Sequence, residues 1–98
     1  MKLQIHSIHF DADQKLIDFI QKKTDKLETF YDRIVDGEVF LRINNTGIEN
    51  KTVEIKLNIP GNQLFAKEEA KSFEEATDEA VEALRRQIRK IKVKQMAH

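Results

Sequence analysis

The segment from Thr52 to Ile59 constrains the fold more than any other stretch of the chain. Val53, Ile55, Leu57 and Ile59 alternate with Thr52, Glu54, Lys56 and Asn58. A period of two places one set on each face of a strand, so one face is built for burial and the other for water. Pro60-Gly61-Asn62 follows at once as a tight turn, and Gln63 to Glu68 returns as a neighbouring strand. Upstream, Val39, Leu41 and Ile43 alternate with Phe40 and Arg42, and Asn44-Asn45-Thr46-Gly47 is a turn signal. These three strands should be antiparallel neighbours with one apolar face to cover.

Two helical segments supply the cover. Residues 3–8, with Leu3 and Ile5 alternating with Gln4 and His6, read as a short first strand. Asp13 then caps a helix running to about Phe30 or Tyr31, with Leu16, Ile20, Leu27 and Tyr31 along one side. Ser72 caps a second helix, Glu75 completes a capping box, and the helix runs to about Lys92 or Lys94. At about 100° per residue, Phe73, Thr77, Ala80, Leu84, Ile88 and Ile91 fall within about 80° of one another. The order is β-α-β-β-β-α, an α+β chain. The first helix is long enough to cross over between parallel strands. The simplest packing lays both helices on one face of a four-stranded sheet and leaves the other face to solvent.

Ninety-eight residues suffice for one domain, 1–98, and not for two. There is no cysteine, so disulfide and thiolate chemistry are excluded. No apolar run has the length of a signal-peptide core or a membrane span, which points to a cytoplasmic protein without a membrane partner. The formal net charge is zero, from 17 basic and 17 acidic residues. Indiscriminate polyanion binding is therefore disfavoured, and any nucleic-acid binding depends on how the charges are arranged.

That arrangement is uneven. The outer side of the second helix carries Glu74, Glu75, Asp78, Glu79 and Glu82 first, then Arg85, Arg86, Arg89, Lys90, Lys92 and Lys94. Acids early and bases late complement the helix dipole, and Glu82 can pair with Arg86. Six cations in ten residues exceed that need, and arginine suits bidentate contacts with phosphate. In the first helix Lys15, Lys22, Lys26 and Arg33 fall within about 40°, provided the helix reaches Arg33. Lys23 flanks the apolar stripe, while Asp18, Asp25, Glu28 and Asp32 share a neighbouring strip. Side by side, the two basic sectors would form one patch that contacts phosphates across an RNA groove and reads shape more than sequence.

Catalytic signatures are absent from the sequence: no P-loop, no dinucleotide fingerprint and no nucleophile elbow. His6 and His9, three apart around a strand, point to opposite faces, and neither they nor His98 has further ligands at a suggestive spacing. No metal, cofactor or small-molecule substrate is expected, and the chain reads as a non-enzyme. Phe10, Phe19, Phe30, Phe65 and Phe73 read as core or its margin, and Phe40 faces out.

The run Lys26-Leu27-Glu28-Thr29-Phe30-Tyr31-Asp32-Arg33-Ile34 resembles the end of the first helix in the ribosome hibernation-promoting factors, also called ribosome-associated inhibitors or sigma-factor modulation proteins. Ala76-Thr77-Asp78, then Ala83-Leu84-Arg85-Arg86-Gln87-Ile88-Arg89-Lys90 with Lys92 and Lys94, is similar to their basic second helix. The resemblance covers essentially the whole chain. It departs at Glu74, where many members carry an aromatic residue, and at Thr77, which replaces an aliphatic one.

The resemblance implies a fold like a double-stranded-RNA-binding domain with an extra first strand. It implies binding to rRNA of the small ribosomal subunit near the decoding region, blocking mRNA and tRNA and silencing translation in stationary phase or starvation. The matching positions are Lys22, Lys23, Lys26 and Arg33 on the first helix and Arg85, Arg86, Arg89, Lys90, Lys92 and Lys94 on the second, with Arg42 at a basic strand position. The chain resembles the short type, a monomer when free. The competing reading is a protein-interaction module that regulates another factor, such as an alternative sigma factor.

Overall fold

The computed structural model describes residues 1–44 and 47–96. Asn45 and Thr46, the centre of the expected Asn44–Gly47 turn, lie outside the described residues, as does His98. The elements are β1 (Lys2–Ser7), α1 (Gln14–Asp25), β2 (Asp36–Ile43), β3 (Lys51–Ile59), β4 (Asn62–Ala70) and α2 (Phe73–Met96). The sheet order is β1-β2-β3-β4, with β1 parallel to β2 and the other pairs antiparallel. The crossover and the antiparallel run are those the sequence implied.

The register follows from the alternation. Val39 faces Ile55, Leu41 faces Val53, Ile55 faces Ala66 and Leu57 faces Leu64, so the branched side chains stack in rows on one face. These residues are buried together with Leu16, Ile20 and Leu27 and with Ala76, Ala80, Leu84 and Ile88 of α2, in one cluster. Both helical segments therefore cover the same face. At about 25 cal/mol per Å² of apolar surface removed from water, each fully buried Leu or Ile stabilises this layer by about 1.5–3 kcal/mol.

Gly37 on β2 lies close against its neighbours. A Cβ there would sit 2.6 Å from Leu57 Cδ2 and 3.0 Å from the Lys56 carbonyl oxygen. At the β3–β4 turn, Gly61 takes φ +75°, which follows naturally from a Pro-Gly pair. The β4 edge is closed by Gln87 of α2: its Nε2 donates to the Phe65 carbonyl at 2.7 Å and its Oε1 accepts from the Phe65 N–H at 3.4 Å.

Ser72 caps α2 as expected, its hydroxyl oxygen accepting from the Glu75 N–H at 3.1 Å. Thr77 is fully buried, and its hydroxyl donates to the Phe73 carbonyl at 2.7 Å. Its polarity is thus absorbed inside the helix rather than presented at the surface.

Three expectations are corrected. α1 ends at Asp25, and Lys26–Thr29 tighten into a 3₁₀ turn. Three residues per turn instead of 3.6 keeps Leu27 buried while rotating the following residues away from the α-helical wheel. Ile43 is not buried with Val39 and Leu41 but is 44% exposed, because it ends the strand beyond the cover of the helices. Phe30 and Phe65, read as core or margin, are 39% and 44% exposed.

Candidate nucleic-acid interface

α1 and α2 run in the same direction across the sheet. Phe10, just before α1, stacks on Phe73 at the start of α2, with ring centroids 5.2 Å apart. Further along, Lys23 Nζ lies 3.4 Å from Asp78 Oδ1. At the far end Phe30 meets Arg85 and Lys92. Asp13 starts α1 by accepting from the Leu16 N–H at 2.8 Å, as its cap role required. The acid-first, base-last order of α2 then carries its cations to the end where the first helical segment stops.

Arg85 and Lys92 are seven positions apart and so share one side of α2. The Arg85 guanidinium carbon sits 4.4 Å from the Phe30 ring centroid, and Lys92 Nζ donates to the Phe30 carbonyl at 2.8 Å. Phe30, Arg85, Ile88, Arg89, Lys92 and Val93 line one groove. A second groove beside it runs from Glu28 to Arg33 and ends on Lys92. Lys92 belongs to both, and through it Arg33 joins the cations of α2.

The sequence-derived cations differ in how free they are. Lys23 is paired with Asp78, and Arg85 has Glu82 at 3.7 Å. Among the described residues, Lys22, Lys26, Arg33, Arg86, Arg89, Lys90, Lys92 and Lys94 have no carboxylate oxygen within 4.0 Å. Asp25 and Glu28, in the last turns of the first helical segment, turn toward the α-amino group of Met1. The hydrogen bonds it donates, to Glu28 first and then to Asp25, hold this amine's pKa above its ordinary value.

The expected stripe of Lys15, Lys22, Lys26 and Arg33 does not form on one helix, because only Lys15 and Lys22 lie on α1. Lys22 and Lys23 lie on α1, Lys26 on the 3₁₀ turn and Arg33 in the loop before β2. Lys23 is drawn to the acidic half of α2. Arg86 borders a groove lined by Glu68, Asp78, Glu79 and Glu82. Arg89, Lys90, Lys92 and Lys94 are exposed. The two basic regions meet at Arg33 and Lys92, not along their whole length.

Arg42 lies elsewhere. It stands on the opposite sheet face, 2.7 Å from Glu54 and 5.7 Å from the Phe40 ring, which also has His6 at a centroid distance of 4.9 Å and Lys56 Nζ at 5.4 Å. Sequence reasoning did not single out Phe30, Ile88 or Val93 as part of the basic end. The available signal was the recurrence of 85, 88, 89, 92 and 93 on one helical face, mixing apolar residues with cations. Among the described residues no three His, Asp or Glu side chains are placed to hold a metal ion, and no helix is long and apolar enough to cross a membrane.

Known proteins are similar to the chain in sequence and in fold. A ribosome hibernation promoting factor of Pseudomonas putida is 29% identical over 97 residues, covering 99% of this chain and 92% of that protein. The fold matches a ribosomal subunit interface protein from Coxiella burnetii with a TM-score of 0.86, at 22% identity over 95% of this chain and 99% of that one. It matches the N-terminal domain of Thermus thermophilus Protein Y with a TM-score of 0.81, at 22% identity over 93% and 99%. The family profile described as Sigma 54 modulation protein / S30EA ribosomal protein matches residues 3–96. With nearly its whole length matched, the chain belongs to the Sigma 54 modulation protein / S30EA ribosomal protein family.

Proposed function

We propose that the protein is a ribosome hibernation factor. It binds rRNA of the small subunit near the decoding region through the basic end of its two helical segments, and it blocks mRNA and tRNA there in starved or stationary cells. The observation that carries this reading is the set of carboxylate-free cations gathered around Arg33, Arg89 and Lys92, on a chain whose relatives are named for ribosome hibernation. A neutral chain can bind RNA this way because many of its acids lie on the first half of α2 and Asp25 and Glu28 are engaged with Met1, which leaves Asp32 as the acid beside Arg33 in the second groove.

The reading requires positioning and exclusion only, with no catalytic step and no cofactor. The free protein acts as a cytoplasmic monomer of one domain. Addition of purified protein to a cell-free translation reaction tests it. Inhibition should rise with protein concentration and be relieved by excess isolated small subunits. Undiminished translation at saturating protein would overturn it.

A second reading, an interaction module for another protein, is favoured by the acidic groove along Glu68, Asp78, Glu79 and Glu82. It requires a complex that survives nuclease treatment, whereas binding through rRNA does not.

A further inference from the structure

The groove at Phe30 is chemically unlike the rest of the basic end. Its floor is Ile88, almost fully buried, and its walls are the Phe30 ring and Val93, which are 39% and 62% exposed. Arg85, Arg89 and Lys92 stand between and around these apolar surfaces. Duplex phosphates alone call for cations and polar donors. They give no reason to leave an aromatic ring and a valine open to water at the same place.

Its size narrows the occupant. The groove holds about 170 Å³, below the roughly 300–1,000 Å³ of a cofactor pocket. That suits one flat ring system. The Arg85 guanidinium at 4.4 Å from the Phe30 centroid already presents a planar cation next to an aromatic ring, the pairing on which bases stack in single-stranded RNA. The neighbouring groove carries Arg33 and shares Lys92, two cations without carboxylate partners, beside Glu28, which is bound to Met1, and Asp32; an adjacent phosphate would lie on the Arg33–Lys92 side.

We propose that this groove is a nucleobase subsite: it takes one unpaired base of the bound RNA against Phe30, Val93 and Arg85, while Arg33, Arg89 and Lys92 hold the phosphates on either side. The inference rests on the RNA-binding reading above and adds to it. The protein selects RNA with an extruded or unpaired base over uninterrupted duplex. The cations around the groove call for an anionic partner, and on the RNA-binding reading that partner is an unpaired base with its flanking phosphates.

The test compares two short RNA duplexes, one fully paired and one carrying a single bulged 2-aminopurine. The bulged duplex should bind about tenfold more tightly, in line with the worth of one stacked base, and its fluorescence should change on binding. Phe30→Leu keeps an apolar side chain but loses the ring, and it should bring the two affinities together while leaving the salt dependence as it was. Val93→Ser, at an exposed position, should do the same by stripping the groove's outer wall. Equal binding of the two duplexes by the unaltered protein, or unmoved fluorescence in the bound complex, would overturn the subsite but leave the RNA reading standing. Absence of salt-sensitive binding to either duplex and to small subunits would overturn both. Loss of ribosome binding by Phe30→Leu with the bulge preference intact would assign the groove to a ribosomal protein instead.

Discussion

Lys92 Nζ donates a 2.8 Å hydrogen bond to the backbone carbonyl of Phe30, tying the basic end of α2 to the turn that finishes the first helical segment. This contact joins Arg33 to the α2 cations, and it leaves two of the three ammonium protons of Lys92 free for phosphate. Replacing Lys92 by Met should lower the steepness of the affinity-versus-salt plot by about one unit, with little effect on melting temperature because the side chain is exposed. Titrations of small-subunit binding at several salt concentrations measure it.

Lys23 and Asp78 behave differently, because their 3.4 Å pair spends the lysine's charge inside the protein. Asp78→Asn should tighten RNA binding a few-fold by freeing Lys23 and removing a nearby negative charge. Stability should change by no more than about 1 kcal/mol, since both side chains are partly exposed. Lys23→Ala should weaken binding less than Lys92→Met does. The reverse order would show that the pair opens on the RNA.

Gly37 sets the close approach of β2 to Leu57. Gly37→Ala forces a contact of 2.6 Å with Leu57 Cδ2 unless the buried leucine moves, and the Lys56 carbonyl at 3.0 Å limits the room. Overpacking of this kind costs about 1–3 kcal/mol. Leu84→Ala, at a fully buried position facing the sheet, should cost about 2–5 kcal/mol by opening a cavity. Urea denaturation of the two variants checks both figures.

The α-amino group of Met1 gives a pH dependence of definite sign. Its pKa is raised by Glu28 and Asp25, so its contribution to stability is complete below the ordinary value of 8.0 and fades as pH rises through the raised one. Melting temperature should therefore fall between neutral and strongly alkaline pH. A double variant, Asp25→Asn with Glu28→Gln, should flatten that fall. An unchanged slope in the double variant would assign the alkaline loss to other groups.

Particular residues show where the sequence spoke and where it did not. The register of β3 was legible because Val53, Ile55, Leu57 and Ile59 alternate without a break, and a slip of one residue would turn all of them to water. Ser72 and the stripe from Phe73 to Ile88 were legible because cap chemistry and a 3.6-residue period act locally. The end of α1 was not. Leu27 and Tyr31 keep a spacing of four that suits an α-helix, yet the chain tightens to 3₁₀ at Lys26, and both residues are buried all the same. The four-residue spacing therefore puts Arg33 on a helical stripe, although it belongs to a loop. The meeting of the two basic regions depends on how α1 and α2 lie on the sheet. That relation joins residues about sixty positions apart, such as Phe30 and Lys92, and no local pattern encodes it.

Arg86, Arg89 and Lys90 are exposed on α2 and leave the core untouched when changed. Co-sedimentation with isolated small ribosomal subunits across a salt series, for the unaltered protein and for the Arg86→Glu, Arg89→Glu, Lys90→Glu triple variant, addresses the central claim directly. The unaltered protein should pellet with the subunits at low salt and be released as salt rises, and the folded triple variant should stay in the supernatant throughout. Equal pelleting of the two proteins with the same salt dependence would contradict RNA binding through the basic end of the helices.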